Sequence, residues 1–63
     1  MAAKKILIVE DEQAIRDMVA FHLSRAGFDV FEAEDCQVAR RMMADHRPDL
    51  ALIDWMLPDM SGL

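Results

Sequence analysis

The sequence is short of cross-links, of positive charge and of long apolar runs, and each shortage excludes a class of protein. Its single cysteine, Cys36, rules out an internal disulfide framework and points to a reducing compartment. Seven basic side chains stand against twelve acidic ones, for a net charge of -5. A segment so charged is unsuited to gripping a phosphate backbone by itself, although a DNA-binding partner domain is not excluded. No apolar run approaches the length that crosses a bilayer, and Lys4-Lys5 precedes a strand pattern rather than a cleavable signal. Repeats, low-complexity tracts and linkers are also missing. With 63 residues there is room for at most one domain, and chains this short are marginal without added support. The expectation is a cytoplasmic chain with no membrane partner.

What is present is a regular alternation of two periods. Residues 5–9 are dominated by isoleucine, leucine and valine, which suits a strand covered on both faces and hence a parallel sheet. Over residues 13–26 the apolar positions Ala14, Ile15, Met18, Val19, His22, Leu23 and Ala26 recur at helical spacing, with Arg16, Asp17, Ser24 and Arg25 assigned to the other face. Gly27 stands where a left-handed C-cap is expected, and Arg25 suits the end of the helix dipole. Residues 28–33 read as a second strand. Asp35 then caps a helix over 36–46, with Cys36, Ala39, Met42, Met43 and His46 as inward candidates. Pro48 ends that helix, and residues 50–53 supply a third strand. The order is β-α-β-α-β, with right-handed crossovers placing the helices on one or both faces of a parallel sheet.

The pattern stops at Leu63, just past a loop, with no helix after the third strand. We expect a truncated piece of a larger open α/β domain, with a sheet edge unpaired and some apolar surface uncovered. Order in such a piece calls for a fused segment, a partner chain or self-association.

Carboxylates close both of the most apolar strands. Ile6-Leu7-Ile8-Val9 runs into Glu10-Asp11-Glu12, and Leu50-Ala51-Leu52-Ile53 runs into Asp54. Ligands of parallel α/β sheets sit beyond the carboxyl ends of the strands, so Glu10, Asp11 and Asp54 share a crevice if the first and third strands are neighbours. Acids so gathered repel unless a cation intervenes, and an all-oxygen donor set favours Mg2+ or Mn2+. The competing reading is a solvated acidic turn, which suits Glu12 best because it sits at a helix start. An ionised aspartate beside such an ion is also a possible phosphoryl nucleophile, and Asp54, followed by a turn, is the better candidate.

Taken in order, these features resemble a known family. Glu10-Asp11 follows the first strand, Asp54 ends the third, Pro58 lies four residues on and Gly62 eight residues on. The chain is similar to the amino-terminal half of a response-regulator receiver domain, the phosphorylatable module of two-component signalling. More narrowly, residues 6–12, Glu32-Ala33-Glu34-Asp35 and Asp54-Trp55-Met56-Leu57-Pro58 resemble the phosphate-regulon response regulators of bacteria, which are winged-helix transcription factors.

The resemblance implies a flavodoxin-like parallel sheet with helices on both faces of the complete domain. Here residues 1–63 hold only its β-α-β-α-β half. It implies that Asp54 accepts phosphate from a sensor histidine kinase. Mg2+ would be held by Asp11 and Asp54, by the Met56 backbone carbonyl, and by Glu10 chiefly through water. The intact parent would show weak Mg2+-dependent phosphotransfer and autodephosphorylation. This segment lacks the later hydroxyl and lysine positions of the family, so it is expected to be inactive alone. Homodimerisation would use a carboxyl-terminal face, and DNA an output domain, that this sequence does not contain.

Two other readings stand beside it. A non-phosphorylated receiver-like interaction module would keep the fold and lose the chemistry. An aspartyl-phosphate hydrolase would carry a second aspartate two residues after the nucleophile, where this chain has Met56.

Overall fold

The computed structural model describes residues 3–53, and the chain runs β1 (Lys5–Val9), α1 (Gln13–Arg25), β2 (Asp29–Ala33), α2 (Cys36–His46) and β3 (Leu50–Ile53). All three strands are parallel, in the order β2-β1-β3. The central place falls to the most continuously apolar strand. Ile6, Leu7, Ile8 and Val9 are all buried, as a strand covered on both faces requires. Their side chains alternate between faces. Leu7 and Val9 join Ala33 and Ala39 in the buried core, with Phe31, Val38, Met42, Ala51 and Ile53 packed around it. That cluster fixes α2 to one face. Helix α1 packs on β1 and β2, over the face that carries Ile6 and Ile8.

The helix ends follow local chemistry. The Asp35 carboxylate accepts the Val38 N–H at 2.9 Å, the N-cap bond expected of an aspartate. At the end of α1, Gly27 adopts φ 98°, with its N–H on the Ser24 carbonyl and the Phe28 N–H on the Leu23 carbonyl. These two bonds form a Schellman closure, which asks for a left-handed residue at Gly27. Helix α2 closes differently. Arg47, held out of the right-handed helical region by Pro48, takes φ 50° and ψ 63°.

The structure corrects the expected inner face of α1. Ala20 is buried and Arg16, Val19 and Leu23 are half-buried, whereas Ala14, Ile15, Met18, His22 and Ala26 are exposed. Ile15 and Met18 remain 44% and 55% accessible. The helix turns its small residue, Ala20, to the sheet and brings Arg16 inward with it. His22 instead packs edge-on against the ring of Phe21 on the surface. In α2, Cys36 and Ala39 are buried and Met42 and His46 half-buried, but Met43 is exposed. The His46 ring stacks on Phe31 at 4.3 Å between centroids. Leu50 and Leu52, in register with Ile6 and Ile8, are exposed beyond the reach of α1, matching the expectation of uncovered apolar surface.

Candidate functional site

Val9 is in register with Ala33 on one side and with Ile53 on the other. The three strands therefore release their chains at one end, and the residue that leaves β1 there is Glu10. It is only 8% exposed, unusual for a carboxylate without a role. Its N–H donates to the Ala33 carbonyl at 3.0 Å, continuing the ladder with β2 by one residue. Its Oε1 accepts the Glu12 N–H at 3.0 Å, which folds the chain back into α1. Its carbonyl accepts Arg16 Nη1 at 2.6 Å. Backbone and side chain of Glu10 are thus both tied to the scaffold. Asp11, next in sequence, is exposed.

Around this pair the surface is acidic. Glu12, Glu32 and Glu34 are exposed, and Asp35 is committed to its cap. Among the described residues, the one basic side chain set among them is Arg16, whose Nε lies 3.6 Å from Glu32 Oε1. Arg16 was assigned from its spacing to the outer face of the helix, so the sequence reading missed it. Its signal was present nonetheless: Arg16, Ala20 and Leu23 form one row at helical steps, and that row is the inner one.

The condition set for a shared crevice, that β1 and β3 be neighbours, is met, so Glu10 and Asp11 stand at the strand end beside the exit of β3. Asp54 and Met56, with Trp55, Pro58 and Gly62, lie outside the described residues. Among the described residues no group of three His, Cys, Asp or Glu side chains is placed to hold an ion. Glu10 and Asp11 offer oxygen donors alone, the chemistry that suits a hard divalent cation rather than a soft one. Lys4 and Lys5 are at the opposite end of the sheet, where Lys5 Nζ donates to the His46 carbonyl at 3.1 Å. A groove of about 450 Å³ there is lined by both signs of charge, including Lys4, Arg47, Asp45 and Asp49.

No described helix is long and apolar enough to cross a membrane. Comparison with known proteins gives a consistent result. Residues 6–63 match the model of the response regulator receiver domain. The chain is 51% identical over 63 residues to the phosphate regulon transcriptional regulatory protein PhoB of Pseudomonas aeruginosa, covering 100% of this chain and 28% of that protein. Against PhoB of Escherichia coli it is 51% identical over 61 residues, covering 97% and 27%. The alkaline phosphatase synthesis transcriptional regulatory protein PhoP of Bacillus subtilis is 40% identical over 60 residues, covering 95% and 25%. The chain therefore spans about a quarter of the length of these relatives. With its parallel β-α-β-α-β order and its acidic pair at the end of β1, this chain belongs to the response-regulator receiver domain family.

Proposed function

We propose that this chain is the amino-terminal part of a receiver that takes a phosphoryl group onto Asp54 from the phosphohistidine of a sensor histidine kinase. The observation that supports the reading is the parallel pairing of Val9 with Ile53. Glu10 and Asp54 are the next residues after that pair, so the acids that close β1 and β3 follow adjacent strands. Burial of Glu10 and the oxygen-only chemistry of the acidic pair add to it. In this reading Asp11, Asp54 and the Met56 carbonyl hold Mg2+, with Glu10 acting chiefly through water; Mn2+ would serve in its place. When bound, the ion supplies charge compensation to the transferring phosphoryl group.

The chain's own residues supply the rest. An Asp54 carboxylate oxygen attacks phosphorus as the P–N bond to the kinase imidazole breaks, and the imidazole departs with the bonding pair. Glu10, held at its N–H, its carbonyl and its carboxylate, fixes the turn that carries Asp11. In the whole protein the phosphorylated receiver would govern transcription, the role that the names of the phosphate-regulon relatives state; dimerisation and a DNA-binding output domain in the cytoplasm are what the family resemblance implies.

The test is Mg2+-dependent labelling of a complete receiver by a small phosphodonor, with Asp54→Asn alongside. Labelling that disappears in the amide variant is the expected result. A folded receiver that takes up no phosphate and binds no Mg2+ would leave the non-phosphorylated interaction module as the better reading.

A further inference from the structure

We infer that Arg16 is a positioning residue for the Glu10–Asp11 pair, holding the peptide group between them so that the acidic turn keeps one geometry. The inference rests on the receiver reading above and adds to it a residue outside the acidic set. The carbonyl that accepts Arg16 Nη1 at 2.6 Å belongs to the peptide unit whose nitrogen is that of Asp11. Fixing that oxygen fixes the plane of the unit, and with it the direction in which the chain presents Asp11. The bond is charge-assisted and short, and such bonds are about twice as strong as neutral ones.

Burial argues the same way. The Arg16 side chain is only 15% exposed. A guanidinium taken that far from water needs acceptors, and two are present among the described residues. Glu32 Oε1 is 3.6 Å away on a side chain that is 41% exposed, so water screens that contact. The Glu10 carbonyl is the nearer partner and the better shielded one. Arg16 is thus drawn inward chiefly by the strand end, not by β2.

Two simpler accounts make opposite or separable forecasts. If Arg16 acted only as a charge, its removal would relieve repulsion toward a cation and tighten Mg2+ binding. If it acted only as a brace between α1 and β2, breaking its ion pair with Glu32 would have the same consequence as removing Arg16. Positioning forecasts weaker Mg2+ binding on loss of the guanidinium fork, even when the charge is kept, and indifference to Glu32.

The experiment titrates Mg2+ calorimetrically into a complete receiver carrying Arg16→Lys, Arg16→Met or Glu32→Gln, with metal-free amide exchange and thermal melting measured on each. Arg16→Lys and Arg16→Met are expected to weaken Mg2+ binding about tenfold, the low end of the range found for residues that orient metal ligands. Exchange at Glu12, whose N–H is bonded to Glu10 Oε1, should quicken in the metal-free variants while the β1 amides stay protected. Glu32→Gln should leave both readouts unchanged. Unchanged or tighter Mg2+ binding in folded Arg16→Lys would overturn the inference, as would a Glu32→Gln effect equal to that of Arg16→Met. Unfolding of both Arg16 variants would overturn it too, making Arg16 a structural brace. Should the unsubstituted receiver itself bind no Mg2+, the receiver chemistry falls first and this inference with it.

Discussion

Lys5 and Asp49 clasp one another twice: the Lys5 N–H donates to Asp49 Oδ2 at 2.8 Å, and the Asp49 N–H donates to the Lys5 carbonyl at 2.8 Å. Asp49 immediately precedes β3, and Lys5 opens β1. The clasp sets where the third strand joins the first, and four residues later the same register brings Ile53 beside Val9. A one-residue slip would turn every side chain of β3 to the other face, removing Ala51 and Ile53 from the core. Register at the amino end thus determines which residues meet at the carboxyl end.

Asp49→Ala removes one bond of the clasp and leaves the backbone bond in place. The lost bond is solvent-exposed, so the expected destabilisation of a complete receiver is about 0.5–1 kcal/mol, at the low end for a hydrogen bond. Urea unfolding with an unchanged m-value checks it. A larger loss accompanied by a changed m-value would mean that the side chain, not the ladder, holds the register.

Among the described residues Leu7 is the largest fully buried side chain, and it sits at the centre of the cluster under α2. Leu7→Ala would leave a cavity walled by rigid strand and helix, and should cost about 2–5 kcal/mol. Ile15→Ala, on the exposed flank of α1, should cost far less in this segment. Chemical unfolding of the two variants side by side measures the contrast.

That contrast also shows how far the sequence could be read. Strand and helix boundaries were legible because their signals are local: β-branched runs, the Asp35 cap, Gly27 and Pro48 act on neighbours only. The adjacency of β1 and β3 was not legible from the acidic strand ends, which only made it the condition for a shared crevice; the pairing meets that condition. The inner face of α1 was not legible from apolar spacing, because two rows compete. Ile15, Met18 and His22 form the more apolar row, yet the sheet receives Arg16, Ala20 and Leu23. Close approach selects small Ala20, and a carbonyl at a strand end gives Arg16 a reason to turn inward. Neither cause is local in sequence. The rest of the site depends on Asp54 and Met56, which lie outside the described residues.

Cys36 offers a probe of folding that needs no substitution. Its thiol is buried at the start of α2, with Ala39 one turn further in. In a complete receiver its reaction with an aromatic disulfide reagent should be slow and limited by opening of the structure, then rapid in urea. Fast labelling under native conditions would show that the amino end of α2 opens locally. Asp35→Ala should accelerate labelling, because loss of the cap costs about 1 kcal/mol where the helix begins.

Glu10 carries two duties that substitution can separate. Its carboxylate closes the turn by accepting the Glu12 N–H, and its charge contributes to the acidic pair. Glu10→Gln keeps an acceptor oxygen of the same reach and removes the charge. Glu10→Ala removes both, and leaves the Glu12 amide to find water at the start of α1. In a complete receiver, Glu10→Gln is therefore expected to retain most of its stability and to bind Mg2+ more weakly. Glu10→Ala should lose a further 1 kcal/mol or so of stability, the worth of one hydrogen bond at a partly buried turn. Calorimetric Mg2+ titration and urea unfolding on the same samples distinguish the duties. If both variants bound Mg2+ as tightly as the parent, the Glu10 carboxylate would serve the turn alone, and the cation would depend on Asp11 and Asp54.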